Sequence, residues 1–303
     1  MAYRKKLYKD FDVPEYPLSF ENEQEREQIK REIHERLHRS IAEQQPIERK
    51  GLFKFLTSYY SIAAVVVTLI SVLLIAYNYY FATESVKYIT LRTHKGKILE
   101  IHLPDSSKVI LNAASTLRYP VEFTDTRDVY LDEGEAYFDV AHDKSKPFIV
   151  HSGAVNTKVL GTAFNVKSYK TLPTITVTVA RGKVRVDDKD RNLGILTPEQ
   201  QLIVDKTNLT VVNKSIRSAD AICWMSGKFV MKDAYFNEIM LAISNRFNVE
   251  MEYDSIKFKN CQNSIEFTPK QTLVDVLKVL KDIQGIKSVI KKNKVFILGE
   301  PCE

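Results

Sequence analysis

The sequence predicts a mainly β region followed by a small α+β region, preceded by a single transmembrane helix and a helical N-terminal segment. Three observations carry this. Apolar and polar residues alternate in short runs from Tyr88 to about Val212, two stretches beyond residue 219 have helical spacing between strand-like runs, and no charged residue occurs between Lys54 and Glu84. The corresponding divisions are 1–57, 58–81, 86–214 and 219–303.

The N-terminal segment carries 12 Lys and Arg against 11 Asp and Glu, and residues 82–303 carry 32 against 27. Neither part has the basic excess of a nucleic-acid binder, so direct nucleic-acid contact is not expected. Residues 21–44 are rich in helix formers, with an apolar stripe confined to Ile29, Ile33, Leu37 and Ile41. One narrow stripe cannot bury itself. It belongs either to a solvated helix leading to the membrane or to a helix that docks these four residues in a partner's groove. His34 and His38 have the i,i+4 spacing of metal ligands, but no further ligand is placed to complete a shell, so they read as a solvated face and no metal is expected.

Tyr59–Phe81 is long and apolar enough to cross a bilayer as one helix, and aromatic residues sit at both ends where headgroups would lie. The run begins too far into the chain for a cleavable signal peptide and no small-residue cleavage site follows it. Arg49, Lys50 and Lys54 precede it closely and only Lys87 follows comparably near, which orients the N-terminus to the cytoplasm.

In the β region, Leu99/Ile101/Leu103, Val109/Leu111, Val129/Leu131, Ala136/Phe138/Val140, Val155/Thr157/Val159, Phe164/Val166, Ile175/Val177/Val179 and Val184/Val186 each place alternate side chains on one sheet face. Turn residues separate them, as in a sandwich or solenoid-like sheet. The last part has helices at Ala234–Phe247 and Thr272–Gln284. Strands bracket both, at Lys228–Met231, Val249–Tyr253, Ser264–Phe267, Ser288–Lys291 and Lys294–Leu298, a repeated β-α-β plan. Three cysteines, Cys223, Cys261 and Cys302, lie in this part without the spacing of a zinc or redox motif. In an oxidising compartment Cys223 and Cys261 could pair, leaving Cys302 on the tail.

No P-loop, dinucleotide fingerprint, zinc-protease helix or nucleophile elbow occurs, so the chain reads as a non-enzyme without a cofactor. The acidic run Asp132-Glu133-Glu135, with Asp139, His142 and Asp143 beyond it, reads as strand-edge charge rather than an acid/base site.

The strings LPDSSKVILNAASTLRYP at Leu103–Pro120, LDEGEAYFDVAHDKSKPFIV at Leu131–Val150 and VLGTAFNVKSY at Val159–Tyr169 resemble FecR-family proteins. RGKVRV at Arg181–Val186 and LTPEQQ at Leu196–Gln201 extend the resemblance. Trp224, Gly227 and Phe247-Asn248-Val249 look like the C-terminal domain of Bacteroidetes-type members, similar to the short domain of secretins and TonB-dependent receptors. The resemblance implies a FecR-like β sheet structure and an inner-membrane, single-pass anti-sigma factor. Residues 1–57 would bind an extracytoplasmic-function sigma factor, and the periplasmic region would meet the signalling domain of a TonB-dependent outer-membrane receptor. Some members cleave themselves at a Gly-Thr bond, which here is Gly161-Thr162, the Thr162 hydroxyl attacking the Gly161 carbonyl. Two turns depart from the family: Ser106 and Glu199 stand where glycine is usual. Glu at positive φ is costly, so the turn at Pro198-Glu199 is expected to change type. The competing reading is an envelope or glycan-binding structural protein, merely anchored by its N-terminus and without sigma-factor regulation.

Overall fold

The computed structural model describes residues 22–42, 52–81, 86–189, 191–300 and 302, and within 52–81 it describes the side chains of 60 and 62–77. The earlier part of the 1–57 segment and the link at 43–51 lie outside the described residues. The chain divides into two compact units, 1–84 and 85–303.

In the first unit, α1 spans Glu23–Ala42 and α2 spans Leu52–Phe81. The Asn22 side chain accepts from the Glu25 amide at 3.0 Å, closing one of the free donors at the start of α1. Glu23 and Glu25 in the first turn and Arg39 in the last complement the helix dipole. Helix α2 is 30 residues long. Among the described residues, no helix is long and apolar enough to cross a membrane.

The second unit begins with thirteen connected strands that divide into two sheets. One runs β1 (Tyr88–Arg92), β4 (Thr116–Pro120), β5 (Arg127–Asp139), β6 (Phe148–Ser152), β7 (Val155–Val159), β10 (Val184–Asp188) and β11 (Arg191–Leu196). The other runs β2 (Leu99–His102), β3 (Lys108–Leu111), β5 again, β8 (Ala163–Ser168), β9 (Thr174–Arg181), β12 (Gln200–Asp205) and β13 (Val211–Ser215). Strand β5 belongs to both. Its first half pairs with β4 and, in parallel, with β6, while its second half pairs with β3 and β8.

The crossover explains why the apolar parity of β5 changes from Val129/Leu131 to Ala136/Phe138. The β4–β5 register skips between Leu131 and Glu133, and Gly134 follows at φ +110°. A Cβ there would overlap Ser115, so only glycine lets the strand pass. Both halves then face one core, in which Phe138 stacks on Phe164 at 5.2 Å and meets Phe148 edge-on at 6.1 Å. Each such fully buried ring contributes about 1.5–3 kcal/mol.

The C-terminal part starts with a short helix α3 (Ser218–Ile222) and a 3-10 turn, Cys223–Ser226. Strands β14 (Phe229–Tyr235) and β16 (Gln262–Phe267) form one small sheet; β15 (Glu250–Glu252), β18 (Lys294–Leu298) and β17 (Lys287–Lys291) form another. Helix α4 (Phe236–Phe247) connects β14 to β15 and α5 (Leu273–Gln284) connects β16 to β17. Each predicted β-α-β therefore links strands of different sheets: β14 pairs antiparallel with β16, while β18 pairs in parallel with β15 and antiparallel with β17. Thr272 and Asp275 cap α5 reciprocally, and Gly285 ends it at φ +66°. Phe236, Ile239, Met240 and Ile243 of α4 pack with Val276, Leu277 and Leu280 of α5 in a second core.

Two expectations are corrected. Cys261 pairs with Cys302, at 5.4 Å between Cα atoms, and Cys223 is the free thiol; the chain's end returns beside the start of β16, which spacing along the sequence does not reveal. Glu199 keeps φ +65° rather than changing the turn. Its carboxylate accepts the Ser218 amide at 2.9 Å and hydroxyl at 2.6 Å, contacts that offset the backbone cost and hold the carboxyl below its ordinary pKa. Ser106 also keeps positive φ, in a turn whose Asp105 accepts from the Ser107 amide and hydroxyl and pairs with Arg127 at 2.8 Å.

Candidate functional site

The most organised polar cluster lies where the β sheets meet the C-terminal part. Glu135, on β5 just past Gly134, is 9% exposed. Its two carboxylate oxygens accept from Asn112 at 2.8 Å and Asn165 at 2.9 Å. Its amide donates to the Ser115 hydroxyl at 3.0 Å and its carbonyl accepts from the Asn112 amide at 2.9 Å. The reading of this residue as strand-edge charge is therefore corrected: beyond the parity change in β5, Ala136 and Phe138 face the apolar core and Glu135 lies on the opposite face, buried against Asn112, Asn165 and Lys167. Burial raises its pKa against the opposing pull of Lys167 and of the two asparagines.

Asn165 also accepts from the indole of Trp224 at 3.3 Å, and Trp224 is 3% exposed. Lys167, two residues along β8, pairs with Glu238 of α4 at 3.2 Å. Burial works against the Lys167 ammonium, but Glu238 and Glu135 outweigh it and its pKa stands above the ordinary lysine value. Tyr169 donates to the Ala113 carbonyl at 2.9 Å, and burial, then Glu135, push its phenol pKa far up. At the other end of α4, the Gly96 amide donates to the Asn245 carbonyl at 2.5 Å, and Lys95 reaches the Ser244 hydroxyl at 2.8 Å. Helix α4 is thus two-faced, apolar toward its own core and polar toward the β sheets.

Asn112, Glu135 and Asn165 come from the three separate strings that carry the family resemblance. Their convergence was not legible from spacing, although Asn112 and Asn165 are each a lone polar residue within an apolar run.

The predicted residues are placed elsewhere. On α1, Ile29 is half-buried and Ile33, Leu37 and Ile41 are exposed, so the stripe is available for contact. His34 and His38 approach edge-on, and among the described residues no group of side chains could hold a metal. Gly161, at φ +159°, packs on His142 so closely that a Cβ there would overlap its ring. Thr162 is buried; its hydroxyl donates to the Lys183 carbonyl at 3.0 Å, and its carbonyl accepts the Val140 amide at 3.0 Å. A cleft of about 440 Å³ opens beside Gly161, lined by Lys108, Asp139, His142 and Arg181 among others.

Comparison with known proteins locates both parts. Residues 89–185 match the family described as FecR protein and residues 228–297 the family described as FecR, C-terminal. Two solved structures of a provisionally assigned anti-sigma factor from Parabacteroides distasonis ATCC 8503, at 2.50 and 1.65 Å, are similar at 30% identity and TM-score 0.66. The matches cover 70% and 69% of this chain and 98% of each of those chains. A comparison with curated proteins returns no match.

Proposed function

Because the chain belongs to the FecR family of anti-sigma factors, a regulatory and non-enzymatic class, we propose that it is a transmembrane transducer between an outer-membrane receptor and a cytoplasmic sigma factor. In this reading residues 1–57 bind an extracytoplasmic-function sigma factor through Ile29, Ile33, Leu37 and Ile41, the run 58–81 holds the chain in the inner membrane, and residues from 86 onward lie in the periplasm. The receptor is TonB-dependent, and its signalling domain meets the C-terminal part.

The observation that carries the sigma-factor step is the unburied stripe of α1, within a helix that buries none of its own residues. The Cys261–Cys302 bond supports a periplasmic setting, since such bonds persist in oxidising compartments. Receptor contact is supported by the open edge of β17, where Val289 and Ile290 are exposed and an added strand could pair.

The test is capture of the tagged full chain from native-host membranes, with bound proteins identified by mass spectrometry. A sigma factor should be recovered with the wild type and lost with Leu37→Asp. Recovery of no sigma factor by an intact, membrane-inserted chain would overturn the reading.

A further inference from the structure

The β sheets and the C-terminal part each have a complete apolar core, and the two cores share no residue. Apart from the buried Trp224 ring, what joins them is polar: Lys167 with Glu238, Lys95 with Ser244, the Gly96 amide with the Asn245 carbonyl, and the Trp224 indole N–H with Asn165. Glu199 with Ser218 forms the hinge side of the same joint. Polar interfaces between bodies of one chain permit relative motion, because separation exposes groups that water satisfies equally well. The closed state also carries a defect. Asn245 Oδ1 is buried without a hydrogen-bond partner, a cost that opening removes.

We propose that this joint is a releasable latch, in which the C-terminal body lifts from the β sheets with its core intact, parting Trp224 from Asn165 and Glu238 from Lys167. This goes beyond the partner assignments above and holds whichever protein meets either end. Engagement of the C-terminal body by a partner would then be felt at β5 and β8 through Glu135 and Asn165, which lose their outer neighbours on release.

The chain contains one tryptophan, and it sits in the joint, so its emission reports the latch directly. The full chain, solubilised in detergent, is titrated with urea while Trp224 emission is followed alongside amide protection of β5 and α5 by pulse-labelling mass spectrometry. The latch requires the red shift of Trp224 to be complete at lower urea than the loss of protection in either element. Coincident midpoints would overturn it. A second variant tests the same point from the other side. A Cβ built on Gly96 lies 3.8 Å from that of Asn248, the mean separation across a disulfide. Oxidised Gly96→Cys/Asn248→Cys should raise the Trp224 midpoint to that of β5, and reductant should lower it again, with reduced wild type as the control. A cross-link that forms yet leaves the early red shift in place would equally overturn the latch.

Discussion

Glu199, at φ +65°, accepts both the amide and the hydroxyl of Ser218 nineteen residues later. A residue that the turn disfavours is thereby held by the helix that follows the last strand of the β sheets. Glu199→Ala loses the acceptor and keeps the disfavoured backbone, so its melting temperature should fall. Glu199→Gly loses the same acceptor but relaxes the backbone, so its fall should be smaller. Circular dichroism melts of the two variants would check the order.

Glu135 gives a pH dependence of known sign. Its folded pKa is raised by burial, so its contribution to stability is fully present below the unfolded carboxylate value and is lost as pH rises through the folded one. Glu135→Gln removes that titration. The wild type should therefore lose stability relative to the variant as pH rises from the unfolded carboxylate value, and the difference should level off above the raised pKa. Urea midpoints of both proteins across that range would measure it.

The Cys261–Cys302 bond closes a loop with a separation of 41 residues. On a chain-entropy basis it stabilises the C-terminal body by about 4 kcal/mol. Cys302→Ser should lower the urea midpoint of α5 protection, and reductant should produce the same fall in the wild type and none in the variant.

Gly134→Ala should be among the most damaging single-methyl changes in the chain. The added carbon meets Ser115 at a positive φ, which predicts a loss of about 3 kcal/mol or more. The expected outcome is a poorly soluble product, partly rescued by Ser115→Gly in the same chain.

At Gly161-Thr162 the hydroxyl that would act as nucleophile donates to the Lys183 carbonyl and its residue is shut off from solvent. Purified chain should run as a single band on a denaturing gel over days at neutral pH. Thr162→Ala should leave the band unchanged while lowering stability by about 1 kcal/mol, the worth of a typical hydrogen bond.

Alternation and helical spacing were sufficient to find most strands and both C-terminal helices, because each element has one dry face and its side chains report it. Ala234 and Tyr235 share the helical pattern but finish β14, where pairing with β16 outweighs it. The joint was illegible for a different reason. Glu135 follows two acidic neighbours in sequence and differs from them because its face of β5 is covered by Asn112, Asn165 and Lys167, which come from distant parts of the chain. The partner of Cys261 depends on where the tail returns, which no local pattern encodes. The stripe on α1 was legible because nothing in the described residues competes for it.

The membership of β5 in both sheets also governs how the protein can come apart. No cut in the sequence leaves one sheet whole without the other, since each needs half of the same thirteen-residue strand. The β region must therefore gain and lose its structure as one cooperative event, and with strands as distant as β3 and β8 both pairing to β5, its folding belongs to the slow regime set by long-range contacts.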